Sequence, residues 1–130
     1  MTRRVDIRKT RGQAMVEFVL VLPILVLILF GIIQFGITFN NYVALTDAVR
    51  AGARSAAVSR LSPTRVPDTE DRVKTASGDL DPTKVVPTVT SDWEHGDDVV
   101  VKATYPYSIS LLGLVIASGD LTSTSTERVE

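Results

Sequence analysis

The sequence predicts an α+β fold: a long N-terminal transmembrane helix that continues as an amphipathic helix, with a small antiparallel β-sheet domain after it. Three observations lead there. No charged side chain occurs from Phe18 to Thr46, the apolar spacing changes to three-and-four beyond Asn40, and the chain after Leu61 alternates apolar and polar residues between turn signals. The implied organisation is a basic leader at 1–12, a helix at 13–61 and an exterior α+β domain at 62–130.

Phe18 to Phe39 is nearly all Val, Leu, Ile and Phe. At about 1.5 Å per residue this run spans roughly 33 Å, enough for the hydrocarbon core of a bilayer. A secretory signal would carry a shorter apolar region of about 7–15 residues with a cleavage site after it. Here the small residues beyond Phe39 continue the helical pattern, so the apolar segment is expected to stay in the mature protein. Pro23 removes the bond its nitrogen would give to the Val19 carbonyl, so a kink or loosened turn is expected there.

Charge orients the span. Arg3, Arg4, Arg8, Lys9 and Arg11 against Asp6 give the first twelve residues a net +4. Residues 61–130 hold six basic and twelve acidic side chains, a net −6. Basic flanks of short segments stay on the cytoplasmic side, which places the N-terminus inside and the C-terminal domain outside, periplasmic or extracellular. A nucleic-acid-binding arm is disfavoured by the span directly after it.

The outer half of the helix is amphipathic, with Tyr42, Leu45, Val49, Ala53 and Ala56 on one stripe. Asn41, Asp47, Arg50, Arg54 and Arg60 occupy polar positions, and Asp47 reaches Arg50 at i+3. Ala48, Gly52, Ala53 and Ala56 make a small-residue face that lets another backbone approach. That backbone is either a neighbouring helix or the docked exterior domain. Mid-helix Gly52 costs about 1 kcal/mol relative to Ala, which argues for a packing reason. Ser62-Pro63 supplies a stop.

The exterior domain is close to the lower size limit for an independent core, and there are no cysteines to staple it, so it is expected to lean on the helix or on neighbouring subunits. Residues 62–67 read as a linker and Asp68–Ala76 as a short helix ended by Gly78, with a Pro82 turn following. Lys84–Trp93 and Asp98–Tyr107 read as strands joined by a Glu94-His95-Gly96-Asp97 hairpin, and Leu121–Val129 as a third strand. Leu111, Leu112, Leu114, Val115 and Ile116 form an apolar segment, expected to be buried against the long helix and alternatively a partner contact.

No catalytic constellation stands out. His95 is the only histidine and lies in a turn, where a solvated role is expected, and nothing in the spacing nominates a nucleophile around it. Asp79-x-Asp81 and Asp97-Asp98 lack the spaced ligand series of a calcium loop and read as turn residues. The sequence therefore nominates no enzyme activity, cofactor, metal or small-molecule substrate.

The junction Arg11-Gly12-Gln13-Ala14-Met15-Val16-Glu17-Phe18 is the most specific feature, because a carboxylate stands at the edge of a lipid-facing helix. A glutamate near a helix N-terminus is favoured by the macrodipole whatever its role. Its context is less ordinary: a basic leader, Gly12, four residues, Glu17-Phe18, then a long apolar helix with Leu22-Pro23.

This arrangement resembles the prepilin signature of tight-adherence (Tad/Flp) pilus systems, and among them the TadE-like pseudopilins. The likeness continues through Phe30-Gly31-Ile32-Ile33-Gln34-Phe35-Gly36 and Ala48-Val49-Arg50-Ala51-Gly52-Ala53-Arg54, although Gln34 stands where the family often has an acid. The resemblance implies cutting between Gly12 and Gln13 by a membrane prepilin peptidase on the cytoplasmic side. It also implies pairing of Glu17 with the freed α-amino group of a neighbouring Gln13, unless that glutamine cyclises. The expected partners are thus the membrane, a prepilin peptidase, other pilins or pseudopilins and the assembly machinery. The expected function is that of a minor pilin or pseudopilin supporting Tad/Flp pilus assembly for surface adhesion. The rival is an uncleaved single-pass anchor carrying a small adhesion or scaffold domain.

Overall fold

The computed structural model describes residues 7–111 and 113–130, with side chains from Gly12 onward. Arg3, Arg4 and Asp6 of the leader and Leu112 of the apolar segment lie outside the described residues. Five elements follow in order: α1 (Ile7–Ala57), α2 (Arg65–Ala76), β1 (Val86–Thr90), β2 (Asp98–Leu111) and β3 (Leu114–Arg128).

Helix α1 runs unbroken through Pro23 and divides into two environments. Its N-terminal half leaves Phe18, Ile24, Leu29 and Ile33 exposed, as an all-apolar surface requires when lipid is its solvent. Thr38 donates its hydroxyl to the Gln34 carbonyl at 3.0 Å, which satisfies one of the few polar side chains next to this region. In the outer half Leu45, Ala48, Val49, Ala53 and Ala56 are fully buried. Tyr42, read as part of that stripe, is instead 42% exposed, because the covered stripe runs through Thr38, Asn41 and Leu45 and Tyr42 lies to one side of it.

The helix begins six residues before Gln13 and stops at Ala57, short of the Ser62-Pro63 signal. The early stop has a tertiary cause: the Ala57 carbonyl accepts the Glu130 amide at 3.0 Å, and Ser59 N–H turns back to the Ala56 carbonyl at 3.0 Å. Helix α2 then starts at Arg65, inside the stretch read as a linker. Pro67 falls within its first turn, where a missing N–H costs nothing. The Thr64 hydroxyl bonds Asp68 Oδ2 at 2.6 Å across that turn. Gly78, at φ +63°, follows the helix end in the left-handed conformation that glycine adopts without strain.

The sheet is antiparallel in the order β1-β2-β3. Strand β1 is shorter than the expected Lys84–Trp93. Lys84 is held in the Pro82 turn by its bond to the Asp81 carbonyl at 3.0 Å, and Trp93 leaves the strand to lie under the Arg65 guanidinium, 4.9 Å from the ring centre. The β1–β2 connection is accordingly longer than the four-residue hairpin expected. The tight turn is elsewhere. β2 continues to Leu111 and β3 begins at Leu114, a pairing with Leu111 directly opposite Leu114 and Gly113 at φ +85°. The expected third strand is thus the upper part of a much longer one.

The core lies between the outer half of α1, α2 and the inward face of the sheet. Val99, Val101 and Ala103 of β2 alternate inward, as the period-two pattern requires. Helix α1 supplies six of the thirteen buried apolar residues among those described, so the C-terminal domain shares its core with the helix.

Candidate functional site

Gly12, Gln13, Glu17 and Phe18 occupy two successive turns of α1, well away from the packed domain. Helical spacing sets Gln13 and Glu17 one turn apart on one face, and Gln13 Nε2 donates to Glu17 Oε1 at 3.1 Å. The carboxylate therefore already has a local amide partner on the exposed surface. Gly12 lines an open apolar groove with Met15, Val16, Val19 and Leu20, and a Cβ placed on it would meet nothing within 4 Å. Phe18 is 61% exposed. The arrangement presents a smooth, sterically open bond between Gly12 and Gln13, with a carboxylate and an aromatic ring just beyond it.

The small-residue face has its partner within the chain. Ala48, Gly52, Ala53 and Ala56 lie beneath α2 and β2. A Cβ added at Gly52 would overlap Val73 Cγ2, with Val101 Cγ1 at 3.6 Å and the Thr69 carbonyl at 3.7 Å closing the other sides. Glycine here makes room for α2. Of the two occupants the sequence allowed for this face, the chain's own domain is the one seated on it.

The remaining polar candidates are dispersed. His95 is exposed in the turn before Asp97. Asp81 organises its own turn: its Oδ1 accepts the Thr83 hydroxyl at 2.6 Å and the Thr83 amide at 3.0 Å, and its Oδ2 lies 3.5 Å from Lys84 Nζ. The Thr83 hydroxyl, then its amide, and more weakly Lys84, hold the Asp81 carboxyl below its ordinary range. Asp47 and Arg50 are 3.7 Å apart and both exposed, a pair contributing at most a few tenths of a kcal/mol. Among the described residues no three His, Cys, Asp or Glu side chains gather as metal ligands do.

Sequence reading missed two features. Arg65 donates to the Arg60 and Ser62 carbonyls at 3.2 and 3.4 Å while covering Trp93, and so ties the α1–α2 turn to the β1–β2 loop. No motif announces such a clamp. The apolar segment after Ser110 is not buried against α1: Leu114 is 72%, Val115 64% and Ile116 59% exposed at the end of the β2–β3 hairpin. The Gly113 turn was the available signal, since it reverses the chain before the segment can lie flat on the helix.

With this geometry in place, the comparison with protein families is informative. Residues 12–54 match the family model described as TadE-like protein. The N-terminal third of the chain is TadE-like. The TadE-like segment starts at Gly12, takes in Glu17-Phe18, and ends at Arg54 within the buried part of α1, so it covers the membrane-type helix and the face on which α2 sits. No curated protein and no solved structure matches the chain. Helix α1 is, by length and composition, the one membrane-span candidate among the described residues. None of its most apolar stretch is buried, which suits a single-pass anchor.

Proposed function

We propose that the protein is a non-enzymatic minor pilin or pseudopilin, cut by a prepilin peptidase between Gly12 and Gln13, that supports assembly or initiation of a Tad/Flp pilus used in surface adhesion. The observation that carries this reading is the TadE-like match beginning at Gly12, joined to a helix that leaves Gly12, Glu17 and Phe18 free of the chain's own domain. The N-terminus lies in the cytoplasm and residues beyond about Asn40 outside, following the charge difference between the two flanks.

The chemistry follows in three steps. Gly12 weakens α1 by about 1 kcal/mol relative to alanine at the bond a protease must unwind. Hydrolysis removes a leader of net +4, which otherwise holds the N-terminus at the cytoplasmic face, and leaves an α-ammonium on Gln13. Glu17 then exchanges its neutral Gln13 amide partner for the ammonium of a neighbouring subunit, a charge-assisted contact strengthened by the apolar surround.

Intact-mass and N-terminal analysis of the protein from cells with and without a prepilin peptidase tests the proposal. The expected product begins at Gln13, or at its cyclised form, only in cells with the enzyme. A chain that keeps its arginines in both strains overturns the pilin reading and favours the uncleaved anchor.

A further inference from the structure

The β2–β3 hairpin lies beside α1, with β2 descending against the helix direction and β3 returning along it, and two sets of contacts fix its height. At the outer end the Glu130 amide bonds the Ala57 carbonyl, while Val129 exchanges hydrogen bonds with Gly96 and Asp97. Lower down, Tyr105 to Ser108 share a crevice with Gln34, Ile37, Thr38 and Asn41. From Asp97 to Pro106 the strand advances about 30 Å at ~3.3 Å per residue. From Ala57 to Thr38 the helix descends about 28 Å at ~1.5 Å per residue. The two elements therefore keep pace, and five further strand residues bring Leu111 roughly 16 Å lower, near the level of Leu27. That level lies inside the uninterrupted apolar stretch Phe18–Ile33.

The composition of the hairpin changes at the same height. Positions 103–119 carry no charge, with Lys102 above them on β2 and Asp120 on β3. Tyr105 and Tyr107 stand at the level of Thr38 and Gln34, where α1 turns from polar to apolar, and tyrosine is the side chain suited to a membrane–water boundary. Below them come Ile109, Leu111, Leu114, Val115, Ile116 and Ala117, with Ser108, Ser110 and Ser118 the polar side chains among them, and the three residues after the turn are left open. An uncovered apolar surface of this kind calls for a nonaqueous neighbour.

We propose that the β2–β3 tip is a second membrane contact, inserted into the outer leaflet beside α1, with Tyr107 and Gln34 marking the headgroup boundary. This rests on α1 being the membrane span, and the lipid-facing surface of the helix is continued by the hairpin at equal depth. A boundary at Gln34 sets the tip about 10 Å deep, the depth at which amphipathic segments rest in the acyl boundary. The backbone limits further entry. β1 pairs with β2 only as far as Thr104, so the lower hairpin has open edges that full immersion in hydrocarbon would leave without hydrogen-bond partners. The tip thus fixes the tilt and height of the helix and its docked sheet relative to the bilayer.

Because the chain has no cysteine, single substitutions report position directly. Full-length Ile24→Cys, Val115→Cys and Thr126→Cys are spin-labelled and placed in phosphatidylcholine–phosphatidylglycerol vesicles, and accessibility to oxygen and to a nickel chelate is measured. The expected result is oxygen access with nickel exclusion at both 24 and 115, and nickel access at 126. Nickel access at 115 with exclusion at 24 overturns the tip contact and leaves the anchor intact. Nickel access at both overturns the anchor itself. Exclusion of both reagents at 115 also overturns the lipid contact and assigns the tip to a second protein copy.

Discussion

Replacing Gly52 by alanine tests how the C-terminal domain is seated on the helix. In an isolated helix the change is favourable by about 1 kcal/mol. Here the new methyl would overlap Val73 Cγ2 on α2. Val73 is β-branched and fully buried in a helix, where one χ1 rotamer dominates, so its methyl cannot simply turn aside. The nearby Thr69 carbonyl is backbone, so relief requires α2 to move as a unit. Overpacking of this kind costs about 1–3 kcal/mol, which leaves a net destabilisation of about 1 kcal/mol after the propensity gain. Urea unfolding of the full chain in detergent micelles, followed by the fluorescence of its single tryptophan, Trp93, measures it. Truncating Val73 as well removes the clash, so Gly52→Ala with Val73→Ala should fall short of additivity by about 1 kcal/mol or more. Gly36→Ala, with nothing within 4 Å of the new carbon, should bring no loss of stability in the tryptophan transition. A Gly52→Ala protein as stable as the parent, or more so, would mean that α2 is not seated against this turn of the helix.

Other perturbations probe separate links. Arg65→Ala removes two bonds to carbonyls and the cation over Trp93, and should lower stability by about 1–2 kcal/mol and shift the tryptophan emission to the red. Val129→Ala empties a buried position beside the Asp97 bond and should cost about 1.5–3 kcal/mol in the same unfolding assay. Asp81 has a depressed carboxyl in the folded state, so its contribution is present above the unfolded pKa and fades as pH falls below 3.8. Asp81→Asn should therefore lower the neutral plateau of the stability–pH curve slightly and flatten its acid limb, the two curves converging at low pH. On the pilin function proposed above, Glu17→Gln should leave cleavage at Gly12 intact by mass while reducing the protein recovered with sheared pili, since the proposed contact with the ammonium of a neighbouring Gln13 loses its counter-charge.

Several features were legible in the sequence because they depend on local pattern alone. The apolar stretch, the small stripe from Ala48 to Ala56 and the alternation of Val99, Val101 and Ala103 each appear where the periodicities place them. The hairpin was misread for a physical reason. Leu111-Leu112-Gly113-Leu114 lacks the polar turn residues that usually announce a two-residue loop, and an uninterrupted apolar run reads as buried. The helix end at Ala57 was out of reach as well, since the Glu130 amide that meets it is brought there by the entire sheet. Trp93 likewise leaves the strand at a left-handed φ of 60° with its amide on the Ser91 hydroxyl, and its ring meets a cation, Arg65, that another element supplies.

By itself the sequence determined that a helix with a charge-free stretch long enough for a bilayer carries a glycine and a glutamate at its basic end, because hydropathy and charge are properties of neighbours along the chain. Only the tertiary structure decided what fills the small face of that helix and how far down it the sheet extends. Those outcomes depend on contacts between α2, β2 and α1, residues far apart in sequence whose side chains meet only once the chain has folded.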